Sequence, residues 1–248
     1  MSYDVPPPHR PISAVRISTV ALLGAVMAVS VPVVATAIVV STPVSDEHAT
    51  VPIAVTGPIT RIVVTDSLSD VTITGDPSAT GASGQAQLQW KGEHGPRPAL
   101  GQHVADGVLT LSKECPPDAC GPVDVAVRVP TGVSVQVNIS DGRVRVMDVT
   151  GGVDLSSTDG DLEGYGLGSG PVSIRSTNGA VRAAFAGAPA RIVVQTTNGD
   201  VDLSTDGHTP YDTRINTANS EPDVRDVQDS RSSNVLVVST TNGKVTVK

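Results

Sequence analysis

The sequence predicts an all-β chain: a parallel β-solenoid with coils of about 20 residues, preceded by one N-terminal transmembrane helix. Three observations predict it. Gly (24) and Pro (19) are frequent while aromatics make up only 2% of the 248 residues. A short phrase ending in Asn-Gly or Asp-Gly recurs along the second half of the chain. A run free of charged residues spans Ile17 to Val40.

Composition comes first. Trp90 and Phe185 are the only Trp and Phe, so Val, Ile and Leu must fill the interior. β-branched residues and Gly are poor helix formers, and with Ser, Thr, Asp and Asn they suit short strands joined by tight turns. The net charge of -8 lacks any basic stripe, which argues against nucleic acid as a partner.

The apolar run at 17–40 is long enough to cross a bilayer as a helix. Arg10 and Arg16 precede it and Asp46 and Glu47 follow it. The positive-inside rule then keeps residues 1–16, a Pro-rich disordered tail, in the cytoplasm. The main domain lies outside a plasma membrane crossed once. The alternative is a cleaved signal peptide, with Ala35–Ala37 as the small-x-small site; the length of the run favours an uncleaved anchor. Residues 41–58 read as a linker and 59–248 as the solenoid, with 76–121 an irregular β excursion or cap and 122–248 the regular coils. In an oxidising compartment Cys115 and Cys120 are a candidate disulfide, preferred over a metal site because two thiols cannot complete a zinc tetrahedron.

The repeat sets the architecture. Asp141, Asp159, Asn178, Asn198, Asn219 and Asn242 mark corners spaced 18 to 23 residues apart. Six and four residues before each corner stand apolar pairs such as Val153/Leu155 and Ile192/Val194; the fifth unit has Thr213/Ile215. Three residues after come Val144, Leu162, Val181, Val201 and Val245. Alternation on both sides of a turn makes each unit strand, corner, strand. The corner itself favours positive φ. Asn-Gly is also a hairpin signal, but like residues at like offsets fit coils stacked in parallel, with Asn side chains bonded up a ladder. Outward residues Arg145, Glu163, Arg182, Asp202 and Thr246 alternate in sign, predicting vertical ion pairs and no single-sign patch.

Two places depart from the pattern. The fifth unit has Ser220 in place of Gly and Pro222 where a strand should resume, predicting a loop excursion. Arg61–Thr74 ("RIVVTDSLSDVTIT") echoes Arg191–Ser204 ("RIVVQTTNGDVDLS") and predicts the first turn of the stack. "GQAQLQWKG", "GVLTLSKEC" and "VDVAVRVP" alternate strictly and read as strands of the excursion.

The anchor, the lead-in "VAVRVPTG" at Val125 to Gly132 and the successive [ST]-[ST]-[ND]-G-x-V units resemble the DUF4097 family of adhesin-like β-strand repeat proteins. The resemblance covers roughly residues 59–248. It implies a right-handed β-solenoid at a bacterial surface, without catalytic residues or cofactor; the Ala, Val, Gly and Pro content looks actinobacterial.

The residues offer little chemistry of their own. Asp154, Asp161, Asp200, Asp202 and Asp206 are the candidate carboxylates for a polysaccharide hydrolase or lyase, which needs two acids flanking a bond. Acidic residues at corners are also ordinary turn formers. "STDGD" at the Asp159 corner offers calcium two carboxylates of the six to eight oxygens it needs. His9, His48, His94, His103 and His208 show no metal-ligand spacing. Tyr165 and Tyr211 are candidate sugar-stacking rings. Outward Asn138, Ser156, Arg175, Gln195, Asn216 and Ser239 form a polar wall able to dock polymer or protein. The reading is a non-catalytic, membrane-anchored envelope interaction or scaffold module whose partner is a cell-wall polymer or envelope protein. The alternative is a carbohydrate-active enzyme on the same fold. A third reading stacks copies end to end through the closing strand "KVTVK".

Overall fold

The structure, a computed structural model, describes residues 47–65, 68–92, 95, 97–115 and 121–248. Among them every regular element is a strand. In chain order these are β1 (His48–Val55), β2 (Arg61–Thr65), β3 (Val71–Asp76), β4 (Ala82–Gln89), β5 (Ala99–Ala105), β6 (Val108–Glu114) and β7 (Val123–Pro130). Then follow β8 (Ser134–Asp141), β9 (Val144–Met147), β10 (Val153–Asp159), β11 (Leu162–Leu167), β12 (Val172–Ser176) and β13 (Val181–Phe185). The last are β14 (Arg191–Thr196), β15 (Val201–Ser204), β16 (Asp212–Thr217), β17 (Asp223–Val224), β18 (Val235–Thr240) and β19 (Val245–Val247). No helix among the described residues is long and apolar enough to cross a membrane. The 17–40 run and the 1–16 tail lie outside the described residues.

The strands form two sheets, one of ten (β1-β4-β7-β3-β9-β11-β13-β15-β19-β17) and one of nine (β16-β18-β14-β12-β10-β8-β2-β6-β5). Each coil gives one strand to each sheet, and the coils pair in parallel at like offsets: Val153 with Val172, Val172 with Ile192 and Ile192 with Leu236. The period-2 apolar residues meet between the sheets. Val135, Leu155, Ile174, Val194, Val144, Leu162, Val181 and Leu203 are all at most 2% exposed. Each buried aliphatic side chain contributes about 1.5–3 kcal/mol, which is how a core nearly without aromatics holds.

The order of coils in space corrects the order read from the sequence, at both ends. The β2–β3 coil, predicted as the first turn, is flanked on both sides: β2 pairs with β6 and β8, and β3 with β7 and β9. The β6–β7 coil is the outer one, and antiparallel β4, β1 and β5 cover it. His48–Val55, expected to be linker, is the edge strand β1. Its Val51 and Ile53 face the core, and Pro52 is tolerated because an edge strand need not donate from every residue.

At the other end β18–β19 stack directly on β14–β15, and the fifth unit, β16–β17, lies outside them. The expected excursion is therefore the terminal coil of the stack. The corners pack closely: a Cβ at Gly243 would meet the Gly199 carbonyl oxygen at 2.0 Å. In the outermost coil Ser220 takes that corner, its Oγ donating to the Gly243 carbonyl. The strand Val245–Val247 is paired on both sides, by β15 and β17, so the exposed-edge argument for end-to-end stacking through "KVTVK" fails. The edges at this end are blunted: β17 has two residues, and β16 turns Thr213 and Thr217 toward the core side and carries an Arg214–Asp212 ion pair.

Candidate functional site

The corner column carries most of the predicted residues. Asn178 Nδ2 donates to Asp159 Oδ1 at 2.6 Å, Asn198 Nδ2 to Asn178 Oδ1 at 2.8 Å, and Asn242 Nδ2 to Asn198 Oδ1 at 2.8 Å. Asn219 Nδ2 donates to Asn242 Oδ1, so the ladder runs 159, 178, 198, 242, 219 and not in chain order. Asp141 is in register with Asp159, but two carboxylates have no proton to share across the rung.

The corner glycines act differently from the expectation. Only Gly142 has a positive φ, 93°. Gly160, Gly179, Gly199 and Gly243 are required because a Cβ would lie about 2 Å from the glycine carbonyl of the coil below. Beside that column runs a line of buried hydroxyls that sequence reasoning missed. Ser176 Oγ donates to Gly160 O, Thr196 Oγ1 to Gly179 O and Thr240 Oγ1 to Gly199 O, each at 3.4 Å. Its signal was the Ser or Thr two residues before every corner from Asp159 onward.

The five candidate carboxylates are dispersed, each engaged locally. Asp161 Oδ1 accepts the Ala180 N–H at 2.9 Å and Asp200 Oδ1 the Lys244 N–H at 2.8 Å, joining consecutive coils. Asp154 faces out of the nine-stranded sheet and pairs with Arg175 at 3.2 Å; Asp202 faces out of the ten-stranded sheet toward Lys248 at 3.3 Å. Asp206 closes a turn. The Thr209 hydroxyl, with the Thr209 and His208 N–H groups, holds its carboxyl below the ordinary range. Among the described residues no three of His, Cys, Asp and Glu converge as a metal would need. Cys115 is disulfide-bonded; Cys120 lies outside the described residues.

The two tyrosines part company. Tyr165 is on β11, 38% exposed, whereas Tyr211 is fully buried and cannot stack on a sugar. Burial first, then the charges of Asp206 and Asp226, push the Tyr211 phenol up to about 12. Its hydroxyl has no hydrogen-bond partner among the described residues. A depression of about 960 Å³ beside β1 and β4 is lined by Glu47, His48, Gln87, Gln89, Trp90 and Lys91 among others, and the Arg97 guanidinium lies 5.1 Å from the Trp90 ring. It holds one described carboxylate, Glu47.

The ten-stranded sheet presents the densest charge. Arg145, Glu163 and Arg182 occupy consecutive rungs of β9, β11 and β13. Arg145 bonds Glu163 at 2.8 Å, Arg143 approaches it at 3.7 Å and Arg182 at 3.9 Å. Glu163 is only 7% exposed, although it faces outward. Alternating signs along the sequence foretold the pairing. They did not foretell that Arg143, from the corner, would help bury the acid.

A candidate cell adhesion protein from Clostridium sporogenes ATCC 15579 aligns over 81% of this chain and 99% of its own, at 11% identity and a TM-score of 0.44. A candidate adhesin from Parabacteroides distasonis ATCC 8503 aligns over 82% and 96%, at 13% identity and a TM-score of 0.40. At such scores the likeness carries no functional argument. No curated protein matches the chain. A family model described as Toastrack DUF4097 matches residues 122–248, just over half of the chain. Those residues hold the stacked corners, the glycine column and the inverted terminal coil, and the chain belongs to that family.

Proposed function

We propose that the chain is a non-catalytic interaction module of the bacterial cell envelope, adhesin-like or scaffolding in character. In this reading a right-handed parallel β-solenoid is carried outside the plasma membrane by the 17–40 helix and meets a cell-wall polymer or an envelope protein. The observation that carries it is how the polar groups are used. Corner amides bond to the next rung, and the five candidate acids each hold a backbone N–H, a cation or a turn, one by one. Such an arrangement supplies rigid, regular walls suited to many weak contacts, with each of these five acids already engaged in the fold rather than held for general acid–base work.

The test uses the full chain, tagged beyond Lys248 and expressed in a bacterial membrane. Retention of cell-wall polymer or envelope protein after mild extraction is the expected outcome. Release of reducing sugar or unsaturated product from envelope polysaccharides would sink the non-catalytic reading. Protease added to whole cells should remove the tag; a protected tag would overturn the outward orientation.

A further inference from the structure

We propose that the outward face of the ten-stranded sheet around Glu163 binds a carboxylate-bearing polysaccharide; this rests on the envelope-interaction reading and names its partner class. The signs that alternate along this row are separated by depth. Glu163 keeps 9% of its side chain exposed, while Arg143, Arg145 and Arg182 keep 52%, 40% and 48%. Solvent therefore meets three guanidinium groups above one buried carboxylate: Arg145 bonded to Glu163, Arg143 near it, and Arg182 between Glu163 and Asp161, 3.9 Å from each. A guanidinium that spends one edge on Glu163 retains further N–H donors in a rigid fork, the geometry that grips an external carboxylate. Because the buried acid already hydrogen-bonds Arg145, less rotamer entropy is lost there on binding.

Tyr165 supplies the second element. It lies two residues beyond Glu163 on the same face of β11, 38% exposed, in register with Met147. Farther along, Ala184 and Ser204, paired on β13 and β15, carry short side chains. An aromatic ring offers a sugar an apolar platform, and the neighbouring guanidinium groups offer its carboxylate a fork. Arg145 and Arg182 stand two rungs apart, about 10 Å at the usual strand spacing, so an extended chain can engage both. Asp161 and Asp202, with 39% and 51% of their side chains exposed, border the row. They repel a dense polyanion such as polyphosphate or nucleic acid, yet leave room for an occasional carboxylate.

The full chain in detergent micelles is titrated calorimetrically with alginate oligomers, dextran, polyphosphate and poly-L-glutamate. Alginate should bind in a salt-sensitive way, and dextran should not. Arg182→Gln and Tyr165→Ala should each weaken alginate roughly tenfold. Arg231→Gln, in the exposed turn between β17 and β18, should leave it unchanged, and circular dichroism should show all three variants folded. Polyphosphate or poly-L-glutamate binding as tightly as alginate, or Tyr165→Ala without effect, overturns the assignment to a sugar acid. Equal loss in Arg231→Gln, or none in Arg182→Gln, overturns the site. If alginate fails to bind while the envelope pull-down still retains polymer or protein, this proposal falls and the broader reading stands.

Discussion

Added at Gly199, a methyl group would sit 1.9 Å from the Gly179 carbonyl oxygen. Backbone on both sides fixes that distance, so Gly199→Ala must pry two coils apart; a loss of about 3 kcal/mol or more in urea unfolding is expected. Ser220→Gly should change stability by well under that, since it creates no overlap and removes one hydroxyl hydrogen bond to the Gly243 carbonyl. Tyr211 gives a pH test. The phenol of the unfolded chain ionises near 10 and that of the folded chain at about 12. Its contribution is complete below pH 10 and declines as the pH climbs from 10 to 12, at about 1.4 kcal/mol per pH unit. Tyr211→Phe should flatten that decline. It also removes a buried hydroxyl that has no partner among the described residues, so at neutral pH it should be neutral or stabilising. The importance of the corner glycines was legible in the sequence. Their reason was not, because close approach between coils depends on stacking distance and leaves no mark on local propensity.

The ladder is an element with a direction. Each Nδ2 donates toward the rung below and each Oδ1 accepts from above, until the line stops at Asp159. Asp159→Asn would still accept from Asn178 and would gain a donor toward Asp141, its neighbour in register. A gain of about 0.5–1 kcal/mol is expected, readable as a higher urea midpoint; an unchanged or lower midpoint would contradict the direction assigned here. Glu163→Gln should act the other way. It leaves three arginines without their common counter-charge, and a loss on the order of 1–3 kcal/mol follows. That loss should shrink in high salt only slightly, because Glu163 is buried. Strand positions and inward residues were readable from period-2 alternation, as Val153/Leu155 and Ile192/Val194 show. The burial of Glu163 was not, since it takes side chains from β9, β13 and the 142–143 corner together.

Across the whole molecule, the sequence order of the coils and their spatial order agree from β8 to β15 and differ at both ends. Hydrogen exchange should expose the difference. Amides of β18 and β19, flanked on both sides, should exchange as slowly as those of β14, while those of β16 and β17 exchange faster. Rapid exchange at Leu236 and Val238 would refute the inverted order. Periodicity cannot reveal such an inversion, because every coil carries the same pattern and would pair acceptably with several others. The clue that was present, Ser220 and Pro222 in the fifth unit, marks the irregular coil, but only the strand pairing places it at the end of the stack.

That inversion also sets a timetable. A repeat array can ordinarily grow one unit at a time from whichever part forms first. Here synthesis delivers β16–β17 before β18–β19, yet the later pair must lie beneath the earlier one. The outer coil has no proper seat until its successor has arrived, and Leu203 and Val201 stay uncovered until then. The final stage of folding is therefore a closing step in which a late segment slides between two that were made before it, and a ribosome stalled short of residue 235 would release a stack without its end.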